Sequence, residues 1–277
     1  MAPVRSLIQV LALCSTISSS LSATAEPAVT LVPGAFHRVS VYDEVKAQLS
    51  GVSYEHVDAV DPPSVGVDVA DVERTADTNV VVNMLETRLS NGEDVILVGN
   101  SYGAIVIMEA VKLSGYIPTI AEVNHNPPRP DIRCIGAPFF KYHLAANGTP
   151  TTVTWNLDLV NYPPQLTFYN LLDASAADYW TSHLLPSSFK ALNATGTYIP
   201  YDGSFRTLCI IGEHDNSVSP VSVQSYYLDQ EGAKFEVETT AVDHVPMLSM
   251  PEVVVDLISR FAGEKLWIRR EAESRGS

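Results

Sequence analysis

The chain has 277 residues, 46% of them hydrophobic and 18% charged, with a formal net charge of −15. That balance excludes a disordered chain, a collagen-like fibre and a protein of several membrane spans, and the length suffices to bury a core without disulfide staples. The acidic excess repels phosphate backbones and anionic headgroups, so neither a nucleic-acid partner nor stable membrane association is expected.

Taken in chain order, residues 1–5 carry one positive charge, 7–17 form an apolar stretch as long as a signal h-region, and Ala23-Thr24-Ala25 offers small residues for cleavage. Residues 1–25 therefore read as a secretory signal removed before Glu26; a buried N-terminal helix is the alternative. Export leaves Cys134 and Cys209, of three cysteines, in a disulfide-permissive setting. They read either as a disulfide or as two inert core thiols. The sequons at Asn147 and Asn193 are glycan acceptors in a eukaryotic host, and Pro150 after the first favours the second.

Beyond the leader, short apolar runs alternate with helical patterns, which predicts βαβ units and a parallel sheet. Six parallel strands are expected, at 29–32, 54–59, 94–98, 132–135, 207–211 and 234–239. Val80, Val81, Met84, Leu85 and Leu89 recur at helical spacing, as do Val253, Val254, Leu257, Ile258 and Phe261, and predict two helices covering the sheet. Between 140 and 205 the alternation stops, in a stretch rich in Pro, Asn, Ser and rings such as Trp155, Phe168 and Trp180. The expected plan is a core of 26–139 and 206–265, a lid insertion of 140–205 with most of its rings in a small core of its own, and a polar tail of 266–277.

The chemistry centres on Gly99-Asn100-Ser101-Tyr102-Gly103, which follows an apolar strand and leads into a helix. A serine on a tight strand-to-helix turn needs glycines on both sides, because Cβ atoms there would collide. Serine is a poor nucleophile at neutral pH, so a histidine must take its proton and an acid must hold that histidine. Of seven histidines, His244 follows the last strand, at the sheet edge where Ser101 is expected. His56, His125, His143 and His183 read as surface or structural residues. Asp215 ends another strand and is the chosen acid, with Glu213 and Asp243 as neighbours able to substitute. An oxyanion hole would use the amide of Tyr102 with that of Ala35 or Phe36, in the loop after the first strand.

With these motifs the chain resembles the α/β-hydrolase superfamily, in particular its compact six-strand branch of esterases, methylesterases and hydroxynitrile lyases. The likeness lies in Leu31-Val32-Pro33-Gly34-Ala35-Phe36-His37, in the Ser101 elbow and in Asp243-His244-Val245-Pro246-Met247-Leu248. It implies an α/β-hydrolase fold, with the order Ser101, Asp215, His244 matching the superfamily's triad. Pro33 and Asn100 stand where many relatives carry histidine. Gly34 and Val245 replace the Thr and Lys of the lyases, which disfavours cyanohydrin cleavage, and Ser101 disfavours the epoxide hydrolases and dehalogenases with their Asp nucleophile.

The reading is thus a secreted serine hydrolase cleaving esters of small apolar substrates, with no cofactor or metal. The alternatives are a lactonase, thioesterase or acyltransferase acting on a small metabolite, and a non-catalytic ligand-binding protein. The partner is a small-molecule ester or lactone, and the oligomeric state is open.

Overall fold

The computed structural model of the chain describes residues 12–15, 26–113, 131–196, 198–202 and 205–263. Most of the leader and the tail 266–277 lie outside the described residues. In order, the elements are β1 (Ala12–Ser15), β2 (Ala28–Val32), α1 (Asp43–Gly51), β3 (Val57–Ala59), α2 (Arg74–Ser90), β4 (Val95–Gly99) and α3 (Tyr102–Leu113). Then come α4 (Ile132–Ile135), β5 (Phe140–Leu144), β6 (Pro150–Trp155), α5 (Pro164–Thr167), α6 (Ala174–Ser182), β7 (Ser187–Ser188) and α7 (Phe189–Asn193). The chain continues through β8 (Arg206–Gly212), α8 (Pro220–Val223), β9 (Glu236–Thr240), α9 (Pro246–Ser249) and α10 (Pro251–Ala262).

The main sheet has the order β3-β2-β4-β1-β8-β9. β2 runs parallel to β3 and β4, and β8 parallel to β9. Every residue of β2 and β4 is buried, as expected of strands covered on both faces, and Val32 lies opposite Gly99 in register. That register sets the loop after β2 beside the turn after β4. α2 packs on α3, and α1 on α10, whose Val254, Leu257, Ile258 and Phe261 are buried. The left-handed Gly263, at φ +92°, ends α10.

Two strand expectations are corrected. Residues 132–135 form α4, where the Asp131 side chain caps the helix by accepting from the Arg133 amide at 2.8 Å. The place between β4 and β8 belongs instead to β1, which is antiparallel to both and comes from the segment read as a leader. The sheet therefore has five mutually parallel strands and one reversed.

The insertion forms its own antiparallel sheet, β5-β6-β7, with α5, α6 and α7 beside it. It is tied to the core through Arg74 of α2, which is buried. That guanidinium donates to the carbonyls of Ala191 at 3.1 Å and Ala194 at 2.5 Å and pairs with Glu109 of α3 at 3.1 Å. Asn147 sits exposed at the tip of the β5–β6 hairpin, whereas Asn193 packs its Oδ1 against the Ile132 amide at 2.7 Å. The two cysteines do not pair: both thiols are free, with Cys134 exposed on α4 and Cys209 buried in β8. Burial pushes the Cys209 thiol up to about 12 and makes it inert.

Candidate active site

β4 ends at Gly99 and α3 starts at Tyr102, so Asn100 and Ser101 make the whole turn. Ser101 adopts φ +52°, a left-handed conformation that costs a non-glycine residue about 1–2 kcal/mol. A Cβ on Gly99 would lie 2.6 Å from the Ala104 backbone, and one on Gly103 only 2.3 Å from the Val32 carbonyl oxygen. Both glycines are therefore steric requirements of the elbow. Asn100 is buried, and its Nδ2 donates to the His244 carbonyl at 3.1 Å, fastening the elbow to the loop after β9.

His244 Nδ1 lies 3.1 and 3.2 Å from the two carboxylate oxygens of Asp215, which follows β8. An ionised carboxylate only accepts, so Nδ1 carries the proton and Nε2 is the basic nitrogen of the neutral ring. Asp215 is itself fixed, because its Oδ1 also accepts from the Ser217 and Val218 amides at 2.8 Å each. The alternative acids are elsewhere. Glu213 is exposed, while Asp243 accepts from the Ser249 hydroxyl at 2.6 Å, the Val245 amide and the Leu171 amide, and burial raises its pKa. Among the other histidines, His56 bonds Glu93 and His143 bonds Thr154, and His125 lies outside the described residues.

Ser101 and His244 line one cleft, together with Gly34, Ala35, Phe36, His37, Asn100 and the 217–218 turn. Gly34 brings the loop after β2 close, since a Cβ there would meet Ser101 Cβ at 3.0 Å. One expected oxyanion donor is corrected: the Phe36 amide already donates to the buried Ser187 hydroxyl at 2.9 Å. Of the expected donors, this leaves the amides of Ala35 and Tyr102 as candidates. Phe36 too is left-handed, at φ +70°.

Several neighbours of the site escaped the sequence. His37 Nδ1 donates to the Ala35 carbonyl at 2.8 Å, which leaves Nε2 to accept from the Tyr169 hydroxyl at 2.8 Å. Burial, helped by repulsion from His244, lowers the His37 pKa to about 4, so the ring is neutral near neutral pH. The Tyr102 hydroxyl donates to Asp77, whose other oxygen accepts from the Ser64 amide at 2.8 Å; burial raises the pKa of both Tyr102 and Asp77. No spacing rule links these partners, which are brought together only by the packing of helices and insertion.

The remaining wall is aromatic: Phe36, Phe139, Phe140, Trp155 and Phe168. Trp155 stacks on Phe139 at 3.7 Å and meets Phe168 at 3.5 Å, and Phe168 lies 5.0 Å from the His244 ring. The insertion thus contributes three of its rings to the cleft, while Tyr142 and Phe189 pack against each other away from it. Phe139 lies one residue before the expected insertion boundary.

A largely parallel sheet with a left-handed serine after one strand, and a His–Asp pair after two later ones, defines an α/β protein whose candidate site sits at the carboxyl edge of its strands. Residues 31–257 match the alpha/beta hydrolase family, and the chain belongs to it. The alpha/beta hydrolase nvfD of Aspergillus novofumigatus (strain IBT 16806) is 26% identical over 264 residues, covering 88% of this chain and 99% of that protein. Tomato methylketone synthase I superposes with a TM-score of 0.66 at 16% identity, covering 87% of this chain and 99% of its own. The pyrethroid hydrolase of Sphingobium faniae JZ-2 does so at 0.61 and 16%, covering 86% and 97%.

Proposed function

We propose that the protein is an exported serine hydrolase of neutral, apolar carboxylic esters. One observation carries the reading: Ser101, left-handed on the elbow, shares a cleft with His244, whose Nδ1 is held by Asp215. His244 Nε2 takes the hydroxyl proton as Ser101 Oγ attacks the ester carbonyl, and Asp215 stays ionised to stabilise the imidazolium. The amides of Ala35 and Tyr102 stabilise the oxyanion, an interaction worth about 10²-fold or more per donor. The imidazolium then protonates the departing alcohol, leaving acyl-Ser101. Water, deprotonated by His244, releases the carboxylic acid.

The wall supports the substrate class. Five rings line the cleft and, among the described residues, no Lys or Arg does, so an anionic group beside the ester meets no counterion from them, while a flat apolar group has ring faces to pack on.

A fluorophosphonate probe with peptide mapping tests the centre. Label at Ser101 that is lost in Ser101→Ala and His244→Ala supports the reading, and folded protein that takes no label sinks it. Export is tested by N-terminal sequencing of protein from the medium. A start at Glu26 supports a removed leader and vacates the place of β1, whereas retention of the first residues makes β1 a permanent strand. On secreted material the exposed Asn147 is the favoured glycan acceptor, read by mass after deglycosylation.

A further inference from the structure

The loop after β2, residues 33–37, is gripped almost entirely from the insertion. The Phe36 amide donates to Ser187 Oγ at 2.9 Å, and the Phe36 carbonyl accepts from the Leu185 amide at 3.0 Å. Both polar backbone groups of a left-handed residue are therefore held by one short strap, residues 185–188. One position further on, the Tyr169 hydroxyl bonds His37 Nε2, and the opposite nitrogen of the same ring holds the Ala35 carbonyl.

The strap is itself anchored. Ser187 and Ser188 pair with Val153 and Thr152 of β6. The Ser188 amide donates to the Ser64 carbonyl at 2.8 Å, its hydroxyl to the Val72 carbonyl at 2.6 Å, and the Gly66 amide donates to the Pro186 carbonyl at 2.8 Å. Ser187 and Tyr169 are buried, so these bonds are shielded from competing water. The grip brackets Ala35: its carbonyl is fixed through His37, and the next amide is fixed by Ser187.

We infer that Ser187 and Tyr169 are positioning residues that hold the 33–37 loop so that the Ala35 amide points at the oxyanion. The inference rests on the hydrolase reading above. It assigns the insertion a second task besides walling the cleft, namely completing the oxyanion hole from a segment about 150 residues away in sequence. Neither side chain touches the substrate. Each acts through the loop, and a misplaced donor lowers stabilisation of the transition state more than binding of the ground state.

The test uses Ser187→Ala and Tyr169→Phe in the full-length protein, with thermal unfolding measured to confirm that each is folded. Expected are a fall in kcat and in the Ser101 labelling rate on the order of tenfold or more, with KM nearly unchanged. The affinity for a boronic acid that becomes tetrahedral on Ser101 falls in parallel. The affinity for a non-reacting ether analogue of the ester does not. Unchanged labelling and boronate affinity in both folded variants overturn the inference, as does an equal loss of ether and boronate binding, which marks general damage to the cleft. A wild-type protein that takes no label at Ser101 overturns the hydrolase reading itself, and the inference with it.

Discussion

Gly103 is the residue of the elbow with least freedom to change. A Cβ there would come within 2.3 Å of the Val32 carbonyl oxygen and 2.5 Å of that of Pro33, and both are backbone atoms of a buried strand end that cannot swing aside. Gly103→Ala is expected to destabilise the protein by about 3 kcal/mol or more, measured by urea unfolding. Gly51→Ala, at the end of α1 with open space around it, should change stability by less than about 1 kcal/mol. Equal effects would show that the β2–β4 contact can relax. The demand for Gly99 was legible in sequence, because its clash falls on Gly103 and Ala104 a few positions on, whereas the Gly103 clash with Val32 and Pro33 is set by the β2–β4 register. Asp215 and His244 were legible for a related reason: the ends of successive parallel strands share one edge. The capture of the Phe36 amide by Ser187 was not, since the two residues are joined only by the path of the insertion and Pro186-Ser187-Ser188 reads as an ordinary turn.

At the scale of elements, the join between α2, α3 and α7 depends on Arg74. Its side chain is 2% exposed, and the Glu109 carboxylate beside it 12%. Arg74→Met takes the guanidinium away from the Glu109 carboxylate and from the Ala191 and Ala194 carbonyls, and is expected to cost about 3–5 kcal/mol. Adding Glu109→Leu removes the other half of the ion pair, and a double-mutant cycle of unfolding free energies reads the coupling between the two side chains. Additive losses would show that the pair is solvated. The buried strands of the sheet were readable because their apolar runs are continuous and bounded by turns. Residues 132–135 were misread because four apolar-rich residues suit a strand or a helix turn equally, and only the capping Asp131 tips the balance. Residues 12–15 carry two readings, leader and β1, because an apolar h-region and a strand share a composition, and N-terminal sequencing decides between them.

Over the whole molecule, the buried groups fix how stability responds to acid. His37 is held near 4 when folded, against 6.5 for the free side chain. Between those values the unfolded chain binds the proton and the native ring does not, so stability rises with pH through that window and is complete above 6.5. The contribution lost on acidification to pH 4 is about 3 kcal/mol, at roughly 1.4 kcal/mol per pH unit. Asp77 and Asp243 act in the opposite sense. Burial raises their folded pKa above 3.8, so the native state holds their protons longer and stability falls as pH climbs from 3.8 through those raised values. The two effects overlap, which is why wild-type curves alone do not isolate the histidine. His37→Asn removes only the first, and urea unfolding free energies from pH 4 to pH 7 should differ in slope from the wild type by about one proton, converging to a constant offset above pH 6.5. Parallel slopes would mean that the His37 ring is as free to take a proton in the folded protein as in the unfolded chain, and that the insertion does not seal it from water.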